Sequence, residues 1–422
     1  MAANPSPPSQ RVGVDARGLE PGFKAHFGRG TGRYGTELIK NLLALSEDPP
    51  SEDPASRAIE IVPLRGADLG AHGIQKRLLS CLPCGKQTVE TQLFLPRRLA
   101  GLHCDLVHFL AHGDATARAT VPYIVSVLDL IPLRFPELYA AKNADWRFHL
   151  ARKLELDAIR GARGIIAISE ATKRDVVQIL GVPAERIAVT PLATSDRFQP
   201  RPFNSATWKA AGRAVRERYA LPVDAPLLLY VGGIDPRKNT RFLVDLIARL
   251  RARAAAGAQP PVLAMVGSYE RDDQLPRLQQ QIRDNGVEAG VRLLGYVSDE
   301  DLVLLYHAAD LAVFPSLYEG FGFPVLEALA CGVPVVAGNN SSIPEVASDA
   351  GILVEDNDTD AWEAAVWGVL AGHAGAEQQV QRGIARAREF SWRRTAELTL
   401  QAYSAFLGSS VRSVDGPSVA RA

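Results

Sequence analysis

Short apolar segments alternate along the chain with longer segments in which apolar residues recur every three or four positions. The short segments have the length of buried strands, and the longer ones have helical periodicity. In the first half, the predicted strands are Arg11–Asp15, Ile59–Val62, Leu106–Phe109, Tyr123–Val127, Gly164–Ile168 and Ile187–Thr190. In the second half, they are Leu227–Val231, Pro261–Val266, Val291–Leu294, Leu311–Pro315, Val333–Ala337 and Gly351–Val354.

This alternation occurs in two blocks, which predicts an α/β fold of two facing Rossmann-like domains, each with a parallel sheet covered by helices. Ligands of such sheets bind at the carboxyl ends of the strands, so we expect the active site in the cleft between the domains. An irregular, charged stretch with several prolines separates the blocks. The predicted divisions are an N-terminal domain at 11–195, a linker at 196–225, a C-terminal domain at 226–392, a last helix at 393–407 that packs back on the first domain, and disordered tails at 1–10 and 408–422.

Composition narrows the class of partner. The 422 residues contain 47 basic and 47 acidic side chains, so bulk charge predicts no affinity for nucleic acid. The longest apolar runs are far shorter than the roughly 20 residues that span a bilayer, and the first ten residues lack the basic start and apolar core of a secretion signal. The four cysteines fit a reducing compartment. We expect a cytoplasmic protein.

Two carboxylates, Glu319 and Glu327, lie eight residues apart around a Gly-Phe-Gly-Phe-Pro turn between a predicted strand and a predicted helix. The N-terminus of that helix favours an anionic ligand such as a diphosphate. Carboxylates beside an anion site suit the hydroxyl groups of a sugar nucleotide. The alternative is that Glu319 caps the helix and Glu327 is a solvated surface acid.

Two cations, Arg237 and Lys238, follow another predicted strand and Gly232-Gly233. Lysine offers a compact charge and arginine a two-pronged donor for phosphate oxygens, so this segment predicts phosphate binding. A solvated helix cap is the alternative. A third glycine-rich segment, with Gly28, Gly30 and Gly32, permits close approach of the backbone to a ligand, or it is a flexible surface loop.

The glycine spacing of that third segment departs from the dinucleotide fingerprint, and the acidic residue expected about 20 positions later is missing. A dinucleotide-dependent oxidoreductase is therefore disfavoured.

Several segments, in order, resemble the retaining nucleotide-sugar glycosyltransferases of family 4, whose fold is called GT-B. The resemblance runs from about Arg11 to Leu407. It rests on Gly30-Thr-Gly-Arg-Tyr34, Leu128-Asp-Leu-Ile-Pro-Leu-Arg-Phe-Pro136, Ile168-Ser-Glu-Ala-Thr-Lys-Arg174, Gly232–Asn239, the Glu-x7-Glu pair Glu319 and Glu327, and Phe390-Ser-Trp392.

The resemblance implies a role for each matching residue. Lys238 and Arg237 would neutralise the donor diphosphate, Glu319 would contact the transferred sugar, and Glu327 would hold the ribose hydroxyls. The N-terminal domain would shape the acceptor site and the C-terminal domain would bind the donor. Further donor-binding positions implied or predicted are Gly30, Gly32, Gly232, Gly233, Gly320, Phe321, Gly322 and Phe323.

Two positions depart from the family pattern. Leu128 precedes Asp129 where relatives usually have a histidine, and Ile234 stands where many have a second arginine. Asp129 stays a candidate for the sugar or acceptor region. His108 and His112 are weaker candidates, because core or loop roles explain them equally well.

The implied roles of Glu319 and Glu327 leave no carboxylate for a double displacement, which needs a nucleophile and a partner acid about 5 Å apart. We therefore expect the acceptor to attack on the face that the leaving group departs from, with retention of configuration. No metal and no cofactor are expected. The acidic Asp356-Asn-Asp358 precedes a predicted helix, so capping explains it more simply than metal binding.

The sequence thus predicts a retaining hexosyltransferase that uses a nucleotide-sugar donor and a glycan or lipid-linked saccharide acceptor in polysaccharide biosynthesis. The Gly-Gly-Ile-Asp-Pro-Arg-Lys-Asn form resembles bacterial surface-polysaccharide mannosyltransferases and favours GDP-mannose. The alternative is a catalytically silent scaffold that binds sugar nucleotides. Basic and aromatic residues such as Lys24, Arg29, Trp146 and Arg147 could approach a membrane, although packing in the core is the simpler explanation for Trp146, Phe148, Leu150 and Leu154.

Overall fold

A computed structural model of the protein describes residues 10–20, 30–47, 59–69, 90–139, 146–200, 206–254, 259–270, 272–372 and 376–408. Lys24, Gly28 and Arg29 lie outside these ranges. The tails predicted to be disordered also lie outside them, apart from Gln10 and Gly408, which are the first residue of a strand and the last residue of a helix.

Two parallel sheets organise the described residues, which confirms the α/β prediction. The first sheet has the order β2-β1-β3-β4-β5-β6 and the second has the order β12-β11-β10-β7-β8-β9. Every predicted strand is present, with its ends moved by at most two residues. The strands of the first sheet are β1 (Gln10–Asp15), β2 (Ile59–Leu64), β3 (Leu106–Phe109), β4 (Tyr123–Val127), β5 (Gly164–Ala167) and β6 (Ile187–Val189). Those of the second are β7 (Leu227–Val231), β8 (Val262–Val266), β9 (Val291–Gly295), β10 (Leu311–Phe314), β11 (Val335–Gly338) and β12 (Ile352–Val354).

Helices connect successive strands on both sides of each sheet. In the first half of the chain they are α1 (Gly30–Glu47), α2 (Gly66–Leu69), α3 (Leu95–Ala100), α4 (Ile131–Arg134), α5 (Pro136–Tyr139), α6 (Trp146–Gly161) and α7 (Glu170–Leu180). In the second half they are α8 (Ala206–Arg218), α9 (Thr240–Arg253), α10 (Leu275–Asp284), α11 (Asp299–Ala308), α12 (Phe323–Ala330), α13 (Ile343–Ala347), α14 (Thr359–Leu370), α15 (Ala376–Arg388) and α16 (Trp392–Gly408). The central strands β4, β5, β10 and β11 are buried along their whole length, because helices cover both faces.

The order of the second sheet places a topological switch point between β7 and β10. Starting from β9 the order is β9-β8-β7-β10-β11-β12, so the chain leaves β7 toward one edge and returns at β10 toward the other. Loops that follow the two strands at such a point diverge and leave a crevice between them. The predicted cationic segment follows β7 and the predicted Glu-x7-Glu segment follows β10.

The stretch at 196–225, predicted to be an irregular linker, contains α8. It is therefore helical, and not irregular, from Ala206 to Arg218. The prolines that suggested breaks, Pro200 and Pro222, lie on either side of the helix and do not interrupt it. Near the end of α8, Arg216 donates to the carbonyl oxygens of Ala225 at 2.8 Å and Ala308 at 2.6 Å. These bonds fix the turn between α8 and β7.

The last helix, α16, lies against α1 and so returns the chain to the first sheet's side of the molecule. Thr395 Oγ1 donates to the carbonyl oxygen of Pro191 at 2.6 Å, and Tyr403 is fully buried. This long-range packing decides the environment of several residues discussed below.

One apolar stripe is on the surface and not in the core. Trp146 is 56% exposed, Phe148 49% and Leu150 37%, all on the first turns of α6, while Leu154 is partly buried. The prediction that these residues pack in the core is wrong for the first three.

Candidate active site

The turn after β7 directs two cations into the crevice. Asp235 caps the short helical turn Pro236–Lys238 by accepting from the backbone N–H of Arg237 at 3.1 Å, and Asn239 ends it in the left-handed conformation, with φ of 53°. Proline at the first position suits this turn because its missing N–H would be unpaired there in any case. Arg237 and Lys238 therefore project from one compact turn.

Both cations bind the carboxylate of Glu319, which follows β10. Arg237 Nη1 donates to Glu319 Oε2 at 3.1 Å, and Lys238 Nζ donates to Oε1 at 2.5 Å. Arg237 Nη1 also donates to the carbonyl oxygen of Tyr318 at 2.9 Å. All three charged side chains are less than one-fifth exposed. Arg237 and Lys238 thus bring two positive charges to this point of the crevice, where the nearby carboxylates are Glu319, Asp235 at 3.7 Å from Arg237 Nε, and Asp129 on the cavity wall.

Pairing with Arg237 and Lys238 keeps Glu319 ionised. Burial alone would raise its pKa, but Lys238 and Arg237 outweigh burial and lower the pKa of Glu319 to about 2. Burial likewise opposes the charge of Arg237, yet Glu319 raises the Arg237 pKa above its ordinary value. Glu319 is thus a permanently ionised hydrogen-bond acceptor at neutral pH and a weak base.

Neighbouring hydroxyl groups fix the backbone of Glu319. Its N–H donates to Ser341 Oγ at 2.9 Å, and its carbonyl oxygen accepts from Ser342 Oγ at 2.9 Å. Ser341 has a φ of 50°. The loop after β11 therefore holds the backbone of Glu319, and the two cations hold its carboxylate.

Glycines let the loop after β10 approach the first domain closely. A Cβ on Gly320 would lie 2.4 Å from the carbonyl oxygen of Leu128 and 3.1 Å from Asp129 Cβ. The carbonyl oxygen of Gly320 accepts from Ser169 Oγ at 2.7 Å. Gly322 has a φ of 102°, which suits glycine, and Pro324 lies in the first turn of α12.

Glu327 lies one turn into α12 and is buried, so the surface-acid alternative is wrong. Its Oε1 accepts from Arg33 Nη1 at 2.6 Å, and its Oε2 accepts from Tyr306 OH at 3.2 Å. Burial raises the pKa of Glu327, and Arg33 and Tyr306 partly offset that effect.

A cavity of about 340 Å³ lies between the two domains at this point. It brings together nine of the predicted site residues, while Leu128 and the aliphatic residues Ile131, Ile168 and Leu192 supply part of its wall. The nine are Gly30, Asp129, Arg237, Lys238, Glu319, Gly320, Phe321, Gly322 and Phe323.

The predicted donor-binding glycines of the N-terminal segment and of the segment after β7 differ in their position relative to the cavity. Gly30 lines the cavity but belongs to the first turn of α1, so this segment is helical from Gly30 onward and not a loop. Gly32 is buried within the same helix. Gly232 and Gly233 do not line the cavity. Gly232 has a φ of 156°, and a Cβ there would lie 2.7 Å from Tyr230 OH, so close packing accounts for this glycine.

The two histidines do not reach the cavity. His108 is fully buried between β4 and α16, where its ring nitrogens contact Tyr403 OH at 2.7 Å and Ser126 Oγ at 2.8 Å. Burial lowers the pKa of His108 to about 3, so the ring is neutral at neutral pH. His112 Nε2 lies 3.0 Å from Glu155 of α6. The acceptor role predicted for these histidines is therefore corrected to structural roles.

Three side chains that contact residues at or near the site were not predicted. Arg33 and Tyr306 hold Glu327, and Tyr139 OH donates to Asp235 Oδ1 at 2.6 Å across the cleft. Arg33 lies within the Gly30-Thr-Gly-Arg-Tyr34 segment that resembles the family. The sequence therefore drew attention to this segment but gave Arg33 no role. Tyr306 and Tyr139 lie in helices with no comparable motif.

The acidic segment before α14 is a helix cap, as predicted. Asp358 accepts from the backbone N–H of Ala361 at 3.0 Å, and Asp356 accepts from Asn340 Nδ2 at 2.6 Å. In the part of the chain that the structure describes, no group of three or more His, Cys, Asp and Glu side chains could hold a metal ion. Within the same ranges, none of the helices is both long and apolar enough to cross a bilayer.

Two family descriptions match the chain. Residues 47–195 match Glycosyltransferase Family 4, and residues 213–386 match Glycosyl transferases group 1. O-antigen chain mannosyltransferase B of Escherichia coli is 33% identical over 383 residues, which cover 89% of this chain and 95% of that protein. The serotype-specific mannosyltransferase WbdA of Escherichia coli is 28% identical over 284 residues, 67% of this chain but 33% of that protein.

Solved structures of low sequence identity share the fold. Sucrose-phosphate synthase from Thermosynechococcus elongatus has a TM-score of 0.64 at 21% identity and covers 93% of this chain and 98% of its own. Anabaena HepE, solved in complex with UDP and glucose, has a TM-score of 0.63 at 19% identity and covers 94% of this chain and 99% of its own.

Proposed function

The chain belongs to glycosyltransferase family 4 and has the GT-B fold, and on that premise we propose that it is a retaining mannosyltransferase of polysaccharide biosynthesis. Its donor would be GDP-mannose, and its acceptor a glycan or a lipid-linked saccharide. The relatives that are 33% and 28% identical are both mannosyltransferases, which supports the choice of sugar.

The observation that carries the proposal is the cluster of Glu319, Arg237 and Lys238 at the switch point of the second sheet. A donor diphosphate brings negative charge, and Arg237 and Lys238 supply two positive charges that can receive it. Glu319 is ionised and oriented, so it can accept hydrogen bonds from sugar hydroxyls beside that diphosphate. The N-terminus of α12 at Gly322 lies on the same cavity and favours an anion.

The ionisation of Glu319 also bears on the mechanism. A general base works best when its pKa lies near the working pH, and a carboxylate with a pKa of about 2 is far from that. We therefore assign removal of the acceptor proton to an oxygen of the leaving diphosphate. The acceptor oxygen would bond to the anomeric carbon on the face from which the diphosphate departs, and its proton would pass to the diphosphate.

Arg237 and Lys238 would stabilise the charge that develops on the departing diphosphate, as preorganised cations do in a dry site. We propose that they take the place of a metal ion, and that neither a metal nor another cofactor is needed. Full activity in the presence of EDTA is the expected result.

Peripheral membrane contact is part of the proposal, because a lipid-linked acceptor lies at a membrane surface. Trp146, Phe148 and Leu150 are exposed around the first turns of α6, and they are followed on the same helix by Arg152 and Lys153, which pair with Glu155 and Asp157. Aromatic and basic side chains together suit the surface of an anionic membrane, where rings enter the headgroup region. We therefore assign α6 as the docking helix for such a surface.

A panel experiment tests the proposed function. The purified protein is screened by thermal shift against GDP-, UDP- and ADP-sugars, and turnover of each donor is then followed with saccharide acceptors. We expect stabilisation by GDP-mannose and an α-linked product by NMR, matching the donor's anomeric configuration. A β-linked product would contradict retention, and donor binding without turnover on any acceptor would favour the scaffold alternative.

A further inference from the structure

The carboxylate of Glu327 is shared between the two domains. Glu327 lies on α12 beside the second sheet, and its side chain is 4% exposed. Its charged partner, Arg33, lies on α1 beside the first sheet, with 2.6 Å between Nη1 and Oε1. The pair can exist only when the domains are as close as they are in this structure.

Each oxygen of Glu327 has one donor, while the side chain is 4% exposed and is not part of the cavity lining. Oε1 accepts from Arg33, and Oε2 accepts from Tyr306 OH at 3.2 Å. An ionised carboxylate has about four lone-pair sites, so two donors leave acceptor capacity for a pair of neighbouring hydroxyls. Arg33 and Tyr306 therefore leave a lone pair on each oxygen, to which a ribose diol could donate.

Arg33 compensates the burial of this carboxylate. Tyr306 is neutral, so Arg33 is the positively charged group in contact with Glu327 among the described residues. Without it, a buried carboxylate would lose its charge partner and become easier to protonate. A protonated carboxyl group is a poorer acceptor for sugar hydroxyls than a carboxylate.

Packing between α1 and α12 sets the position of Arg33. Its guanidinium lies 5.7 Å from the centre of the Phe323 ring, which belongs to the first residue of α12. Gly30, one turn earlier on α1, faces the same ring, where an added Cβ would lie at 3.6 Å. The first turn of α1 thus packs on the start of α12 and delivers Arg33 to Glu327.

We propose that Arg33 is a positioning residue through which closure of the two domains completes the ribose site at Glu327. The inference deepens the proposed function and rests on it, because it takes Glu327 as the residue that holds the ribose. Donor nucleotide and domain closure would then favour each other, since the carboxylate is fully prepared only when α1 and α12 meet.

A competing role for Arg33 predicts the opposite change in nucleotide affinity. If Arg33 blocked Glu327 and had to be displaced by the ribose, removing Arg33 would tighten nucleotide binding. If Arg33 prepares Glu327, removing it weakens binding, and the loss depends on the ribose hydroxyls.

Calorimetry on the full chain separates these roles. The ligands are GDP and 2′,3′-dideoxy-GDP, or the UDP or ADP pair if the thermal-shift screen selects another base. The proteins are the wild type, Arg33→Gln, Arg33→Lys and, as matched control on the exposed face of the same helix, Lys40→Gln. We expect Arg33→Gln to weaken GDP binding about 10- to 100-fold, the size of one hydrogen bond to a charged group.

The dideoxy ligand gives the decisive comparison. Because it lacks the hydroxyls, we expect Arg33→Gln and the wild type to bind it with affinities within about threefold of each other. Arg33→Lys keeps the charge without the planar fork, so it should lose less than Arg33→Gln, and it provides the same comparison if Arg33→Gln does not fold. Lys40→Gln should match the wild type, and donor KM should rise more than kcat falls.

Two results would overturn the inference while leaving the proposed function in place: tighter GDP binding by Arg33→Gln, or equal losses for GDP and its dideoxy form. A wild type that binds both ligands equally would instead refute the ribose role of Glu327, on which the inference depends. Absence of binding by any nucleoside diphosphate would refute the proposed function itself.

Discussion

Glu319 gains its properties from two neighbours that are distant in sequence from it. Arg237 and Lys238 come from the loop after β7, and Glu319 from the loop after β10. They meet because these strands are adjacent and parallel, so their carboxyl ends share one edge. At this scale, charge balance determines what the site can bind and which groups can move a proton.

Removing one cation tests that balance. In Lys238→Gln the carboxylate of Glu319 keeps Arg237 as its charged partner, but the site loses a charge for the diphosphate. We expect kcat for sugar transfer to fall on the order of 100-fold, as it does when a preorganised transition-state contact is lost. Lys238→Arg, which keeps the charge, should retain more activity than Lys238→Gln. Equal losses in both variants would show that charge is not what Lys238 supplies.

Acid stability tests the low pKa of Glu319. Its folded pKa of about 2 lies below the ordinary 4.5, so the ionised form stabilises the fold above about pH 4.5 and this contribution is lost as the pH falls toward 2. The contribution is on the order of 3 kcal/mol. Urea unfolding between about pH 5 and pH 3 should therefore show a steeper loss of unfolding free energy for the wild type than for Glu319→Gln. Parallel pH curves would contradict the pairing.

Sequence patterns identified side chains whose position depends on strand ends, and missed those that depend on long-range packing. Glu319, Arg237 and Lys238 could be predicted to meet, because each follows a parallel strand. His108 could not be placed, because its burial depends on Tyr403 in a helix almost 300 residues later. The partnership of Arg33 and Glu327 likewise depends on how two domains pack.

Helix α6 and the loop after β10 are the elements on which two parts of the proposed function depend. The sequence predicted the loop after β10, whereas for α6 local periodicity could not tell side chains packed in the core from side chains left exposed. An apolar stripe has the same spacing in both cases. For this reason the prediction that Trp146 and Phe148 pack in the core is wrong.

Vesicle binding tests α6. We expect the wild type to sediment with vesicles that contain phosphatidylglycerol and not with pure phosphatidylcholine, because anionic lipid attracts the basic side chains. The double variant Trp146→Ser with Phe148→Ser should bind at least about tenfold more weakly, since two buried aromatic side chains are lost. Tyr296→Ser is the matched control, because Tyr296 is 72% exposed on the other domain. An equal effect of Tyr296→Ser would contradict docking through α6.

A single methyl group tests the loop after β10. In Gly320→Ala the new Cβ would lie 2.4 Å from a backbone oxygen of the first domain, which a side-chain adjustment cannot relieve. We expect the loop to shift and transfer to fall about 100-fold, the usual scale for a displacement near 1 Å.

Gly233→Ala is the matched control for that experiment, because no atom lies within 4 Å of the added Cβ. It also tests the sequence prediction that Gly233 binds the donor. Near-normal activity in Gly233→Ala would remove Gly233 from the site, and near-normal activity in Gly320→Ala would show that the close approach to Leu128 is not required.

At the scale of the whole molecule, the proposed donor site consists of residues of the second domain that face a wall provided by the first. The cavity takes Glu319, Arg237 and Lys238 from the second domain, and Gly30 and Asp129 from the first. Further contacts hold the domains together beside it. Glu345 accepts from the backbone N–H groups of Glu170 and Ala171 at 2.7 Å each, which caps α7 from across the cleft.

The sequence predicted this two-domain α/β architecture because each block repeats the same alternation of strands and helices. It did not predict the contacts between the blocks, because their residues belong to loops and helix ends with no periodic pattern. Glu345 and Ser169 are examples, since neither stands out until both domains are in place.

The most direct test of the account is donor turnover by Glu319→Gln, measured as nucleoside diphosphate released from GDP-mannose with acceptor present and EDTA added. Glu300→Gln, a change of an exposed carboxylate on the same domain, is the control. We predict that the wild type and Glu300→Gln turn over in EDTA, while Glu319→Gln is slower by about 100-fold or more. Turnover by Glu319→Gln within about twofold of the wild type would contradict the central role of Glu319.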